Sequence, residues 1–215
     1  MKLPKLFAAL VFALGVCVGG AQGQEASAIS VPGAEGAKQA LEASPRHGEF
    51  VQVPVEGSET KLRAFVAFPE QSEKAPVVIV IHEIFGLSEW IQSVADAFAA
   101  EGFIAIAPDL ITGIPGAEEN PRAAIGELSD EEAVKRLTAT LAYAKALPAA
   151  NGKAATVGFC WGGRMSFHYA IAQPELSAAV VYYGTSPETS TLAGITVPVL
   201  GLYAEDDARV NTTIP

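Results

Sequence analysis

The chain has 215 residues, half of them hydrophobic, which is enough for one sizeable core in one domain. Asp and Glu number 24 against 14 Lys and Arg, a formal charge of −10. An acidic surface of this kind disfavours nucleic acid and anionic membranes as partners. The chain opens like a secretory signal. Lys2 and Lys5 form a basic n-region, Leu6 to Val18 is an apolar run short for a bilayer span, and Ala21-Gln22-Gly23 offers a small-residue cleavage site. Residues 1–23 are therefore expected to be removed on export to a periplasmic or extracellular compartment, with a retained anchor as the alternative. Removal takes Lys plus Arg from 14 to 12 against 24 acids, a formal charge of −12. It also takes Cys17 and leaves Cys160 as the single thiol, so no intrachain disulfide can form. A lone thiol in an oxidising compartment is a liability unless it is buried or used.

Residues 24–46, rich in Ala, Gly, Ser and Glu, read as a loose N-terminal segment, and residues 47–215 as one domain. Glu49 to Val55 and Lys61 to Phe68 are strand-like runs about a polar turn at Gly57, an expected antiparallel hairpin. Val77 to Ile81 is continuously apolar, as in a strand buried on both faces. Ser88 to Ala100 carries Ile91, Val94, Ala95 and Phe98 at helical spacing. Phe103 to Ala107 is a second buried strand, and Asp109 to Leu128 a long loop. Ser129-Asp130-Glu131-Glu132 fits a capping box that opens a helix to about Leu147. A strand at Ala154 to Val157, a helix from Gly163 to Ala172, and strands at Ala178 to Tyr182 and Val197 to Tyr203 complete the alternation. Strands alternating with helices predict an α/β domain, a mostly parallel sheet covered on both faces.

In such sheets function gathers at the carboxyl ends of the strands. His82-Glu83, Asp109, Cys160 and Glu205-Asp206-Asp207 all fall there. Gly158-Phe159-Cys160-Trp161-Gly162-Gly163 between strand and helix has the context of a nucleophile elbow, with Cys in place of Ser. Its bland alternative is a small buried Cys in a glycine-rich turn. A thiolate there would gain from the free N–H groups of the following helix. The backbone N–H of Trp161 could donate to an oxyanion, with a second donor from the turn after the Val77–Ile81 strand, at Ile84. Other motifs fail. Arg164 and Met165 stand where a phosphate loop needs Lys and Ser/Thr, and Gly86 stands where a zinc-protease helix needs its second His. Three scattered histidines and one retained Cys give no zinc ligand set, and no cofactor is expected.

Four stretches together resemble the dienelactone hydrolase family, α/β-hydrolases with a Cys nucleophile. They are Val77-Val78-Ile79-Val80-Ile81-His82-Glu83-Ile84-Phe85-Gly86-Leu87, Ala107-Pro108-Asp109-Leu110, Val157-Gly158-Phe159-Cys160-Trp161-Gly162-Gly163 and Leu202-Tyr203-Ala204-Glu205-Asp206-Asp207-Ala208-Arg209-Val210. The resemblance implies an α/β-hydrolase fold and hydrolysis of a small-molecule carboxylic ester or lactone through a cysteine acyl-enzyme. It implies Cys160 as nucleophile, Asp207 as triad acid with Asp206 as rival, Glu83 as the acid that helps form the thiolate, and Trp161 and Ile84 as oxyanion amides.

Two departures qualify what the family pattern implies. Ile111-Thr112-Gly113 follows the Pro-Asp-Leu stretch where family members carry a substrate-gripping Arg, so another ester, lactone or thioester is open. No His follows Asp207, although the fold's triad runs nucleophile, acid, His. His168 lies two helical turns past Cys160, and His82 and His47 read as structural. The expectation is a chain truncated at its C-terminus, lacking the last strand and helix, and inactive or nearly so. A non-catalytic binding module or pseudoenzyme that uses the same pocket is the alternative.

Overall fold

The computed structural model describes residues 31–214; the expected leader and Cys17 lie outside the described residues. A seven-stranded sheet forms the centre of the described residues, in the order β1-β2-β4-β3-β5-β6-β7. The strands are β1 (Gly48–Pro54), β2 (Lys61–Ala67), β3 (Ala75–Ile81), β4 (Ile104–Pro108), β5 (Ala150–Phe159), β6 (Ala178–Tyr182) and β7 (Val199–Leu202). The expected hairpin forms, with Gly48 opposite Ala67 and Pro54 opposite Lys61. β2 also runs antiparallel to β4, while β3 to β7 pair parallel. The sheet is the mostly parallel one expected, with the antiparallel hairpin at one edge.

Successive side chains of a strand point to opposite faces, so an unbroken apolar run feeds two cores. Val77, Ile79 and Ile81 of β3 enter one core, which α4 (Asp130–Ala146) and α5 (Trp161–Ala172) cover with Leu137, Leu141, Met165 and Tyr169. Val78 and Val80 enter the other, under Ile91, Val94 and Phe98 of α2 (Glu89–Ala100). Ser88 caps α2 by accepting from the Ile91 N–H, and Ser129 caps α4 by accepting from the Glu132 N–H. The capping box at Ser129 is only half formed. The Glu132 carboxylate turns instead to Arg136, whose Nε donates to it at 2.9 Å.

Of the segment 24–46, expected to be loose, residues 24–30 lie outside the described residues, and residues 32–46 are ordered. A 3-10 turn at Ala34–Gly36 leads into α1 (Ala37–Ala43), which packs on α2 with Ala37 fully buried. Trp90 donates to the Pro32 carbonyl at 3.1 Å, and Arg46 Nε donates to Asp96 at 2.9 Å. The composition of the segment hid a short run, Ala37-Lys38-Gln39-Ala40-Leu41-Glu42-Ala43, made wholly of strong helix formers. The long loop also holds a helix, α3 (Pro121–Glu127), with Asn120 as N-cap and Pro121 at its first position. A 3-10 turn at Thr189–Gly194 and the four-residue α6 (Ala208–Asn211) are further elements that periodicity is too short-sighted to find.

Candidate active site

Parallel pairing brings the carboxyl ends of β3 to β7 to one rim, which carries His82 and Glu83, Asp109, Cys160, Tyr183 and the 203–207 segment. Cys160 sits between β5 and α5 at φ 55 and ψ −115, a left-handed backbone that non-glycine residues rarely adopt. Its N–H donates to the Tyr182 carbonyl at 3.0 Å, which ties the elbow to the end of β6. The thiol is half-buried, and among the described residues it joins no disulfide. The neighbouring glycines are dictated by contact. A Cβ on Gly158 would strike the Gly162 carbonyl, and one on Gly162 would strike the Ile81 and His82 carbonyls at the end of β3. α5 begins at Trp161, earlier than the helix expected from Gly163, so Cys160 is the N-cap itself. The first amides of a helix have no partner within it, which leaves the Trp161 N–H open to a ligand.

The β3 loop lies against this helix start. Gly162 packs against the Ile81 and His82 carbonyls, and the His82 ring stacks on Trp161 with centroids 5.5 Å apart. Glu83 is half-buried, and burial raises its carboxyl above the usual range. Among the described residues the Ile84 N–H has no hydrogen-bond partner, and none joins Glu83 to Cys160. Both act on Tyr183, whose hydroxyl is pushed up to about 12 by burial first and then by the charges of Glu83 and Cys160. Tyr183 itself adopts φ 42 at the end of β6. Sequence reasoning missed it, although the strand-end rule applied to Ala178–Tyr182 points to the next residue.

Asp207 is partly buried and caps α6, its Oδ1 accepting from the Val210 N–H at 3.1 Å; Asp206 is exposed. The three histidines are committed elsewhere. His82 is fully buried, with Nδ1 2.7 Å from the Glu83 carbonyl and Nε2 accepting from the Leu110 N–H at 3.1 Å. His168 faces Asp130, Nδ1 to Oδ2 3.7 Å, in company with Arg164, which donates to Asp130 at 2.7 Å. His47 is exposed beside Glu49. None is hydrogen-bonded to Cys160 among the described residues.

A cleft of about 710 Å³ opens next to the Glu83–Ile84 peptide. Phe85, Gly86 and Leu87 form one wall, Asp109 and Ile111 to Ile114 another, and Glu118, Glu119 and Pro121 a third. Cys160 does not line it. Among the described residues Arg63 of β2 is its one cation, with the guanidinium 3.7 Å over the Phe50 ring. Arg122, the first Arg after the Pro-Asp-Leu stretch, is not among the walls. No local signal marks Arg63; it reaches the cleft because β2 pairs with β4, where Asp109 N–H donates to the Arg63 carbonyl at 2.8 Å. Arg136 donates to the Leu110 and Thr112 carbonyls at 2.8 and 3.0 Å and so holds the second wall from below.

The sequence profile of the Dienelactone hydrolase family matches residues 62–213. A Yersinia pestis protein provisionally named a carboxymethylenebutenolidase is 34% identical over 175 residues, covering 74% of this chain. The chain spans 65% of that relative's length. A Klebsiella pneumoniae crystal structure, provisionally named a dienelactone hydrolase, superposes with TM-score 0.65 at 31% identity, over 79% of this chain and 75% of that one. Dienelactone hydrolase from Anabaena variabilis, at 21% identity, shares the fold with TM-score 0.65 over 78% of each chain.

Proposed function

The chain belongs to the dienelactone hydrolase family, and we propose that it takes the acyl group of a small carboxylic ester or lactone onto Cys160. The observation that carries this reading is the conformation of Cys160, a strained residue lifted onto a helix start beside an unpaired amide. Attack by the thiolate would form a tetrahedral intermediate, with the Trp161 and Ile84 amides as its oxyanion donors. Its collapse would break the acyl C–O bond, leaving a thioester on Cys160 and an alkoxide that takes a proton from water. Glu83 is the acid proposed to interact with the thiol, and Asp207 the triad acid. Hydrolysis of the acyl-enzyme needs a base to activate water, and the three histidines have other partners. We therefore expect stoichiometric acylation of the 215-residue chain followed by slow release.

The test is product release from a p-nitrophenyl ester, with mass spectrometry of the protein. One acyl group per chain, lost with Cys160→Ala, supports the reading. Sustained turnover would overturn the expected inactivity, and no adduct at Cys160 would overturn the nucleophile. The second reading, a non-catalytic binding module, is favoured by the histidine partners alone. It requires Cys160 to alkylate no faster than a free model thiol in a chain that includes a triad His. Export is proposed from the leader, and the mature N-terminus of the secreted or periplasmic protein, expected after Gly23, checks it.

A further inference from the structure

We infer that His82 is a positioning residue for the reaction, locking the Glu83–Ile84 peptide so that the Ile84 N–H faces the open rim. The inference rests on the acylation reading above. The tautomer of His82 follows from its partners. The Leu110 N–H can only donate, so Nε2 must be the unprotonated nitrogen. The Glu83 carbonyl can only accept, so Nδ1 carries the hydrogen and donates across 2.7 Å. The ring has no freedom to exchange these roles, because it is fully buried and one face is stacked on Trp161.

The consequence falls on the next amide. The Glu83 C=O and the Ile84 N–H belong to one planar trans peptide, in which they point in opposite directions. Holding the carbonyl toward the buried imidazole turns the N–H away from it, out of the core. That amide has no partner among the described residues. The same ring holds Leu110 at the start of the cleft wall and touches Trp161, the owner of the other proposed oxyanion amide. One side chain thus sets the relative placement of both donors without touching substrate.

The role can be separated from a merely structural one by comparing two reactions of the same thiol. Acylation by p-nitrophenyl acetate builds an oxyanion, whereas alkylation by iodoacetamide does not. His82→Phe keeps a ring against Trp161 and loses both hydrogen bonds. It should slow acylation by at least about tenfold, toward the hundredfold that loss of one oxyanion donor costs, and leave alkylation within about twofold. His82→Asn places an amide donor where Nδ1 was and should restore most of the acylation rate. Equal slowing of both reactions in His82→Phe would mean that the elbow itself is disturbed and would overturn the inference, as would unchanged acylation. If His82→Phe does not fold by circular dichroism, the comparison passes to His82→Asn and His82→Gln. Gln can keep the Leu110 bond but has no donor at the Nδ1 position, so it should acylate slowly while Asn acylates fast; equal rates overturn the inference. A parent chain that is not acylated at Cys160 sinks the nucleophile reading and this one with it, whereas normal acylation of the parent and of every variant sinks this one alone.

Discussion

At the scale of single residues, the elbow trades stability for a thiol lifted onto the rim. A side chain held at φ 55 costs of order 1–3 kcal/mol, and glycine adopts that backbone without the penalty. Cys160→Gly should therefore be more stable than Cys160→Ala by about 1 kcal/mol, once glycine's greater unfolded freedom is subtracted, while neither is acylated. Urea midpoints of the two variants check this; equal midpoints would mean that the elbow is unstrained. Gly162 is constrained differently. Its missing Cβ makes room for the Ile81 and His82 carbonyls, so Gly162→Ala must push α5 off the end of β3. The expected cost is about 1–3 kcal/mol, together with slower acylation of Cys160, measured by urea unfolding and by the ester burst.

At the scale of elements, two polar devices fix α4 and α1. Ser129 begins α4, whose Arg136 holds the Leu110 and Thr112 carbonyls under the cleft wall. Ser129→Ala removes the cap and should cost about 1 kcal/mol of stability. A denaturant titration with an unchanged slope would attribute that loss to the folded helix. The second device docks α1. Asp96 accepts from Ser44 at 2.7 Å and from Arg46 Nε at 2.9 Å, with both ionic side chains largely covered. Asp96→Ala leaves Arg46 without this partner and should cost about 2 kcal/mol. It should also open residues 31–46 to proteolysis before the rest of the chain. Simultaneous cleavage everywhere would mean that α1 is held by its apolar contacts instead. The helix formers of α1 and the Asn120-Pro121 start of α3 were present in the sequence, but short helices have too few turns for periodicity to register.

At the scale of the whole molecule, two partly or fully buried histidines tie stability to pH. Burial lowers His82, against the opposing effects of the Glu83 carbonyl and Asp109. Burial and then Arg164 lower His168, against Asp130. Both folded values lie below the ordinary 6.5. The unfolded chain therefore takes up protons first as pH falls through 6.5, and stability present above that value is lost progressively below it. Glu83, raised by burial, works in the opposite sense and can be removed with Glu83→Gln. In that background, urea midpoints should fall between about pH 7.5 and 5.5, and a flat profile would show that neither His stays neutral. The buried strands, the hairpin, the elbow with its glycines and the family are legible in the sequence, because each is written in neighbouring residues with a fixed period or spacing. Which distant groups meet is settled by the packing of the sheet. The order β2-β4-β3-β5 carries Arg63 into the cleft and locks His82 between Glu83 and Leu110. Parallel pairing of β6 sets Tyr183 near Cys160. Strand order is a competition among pairings of similar apolar runs, settled by how both faces of the sheet are buried at once, and no local stretch records its outcome.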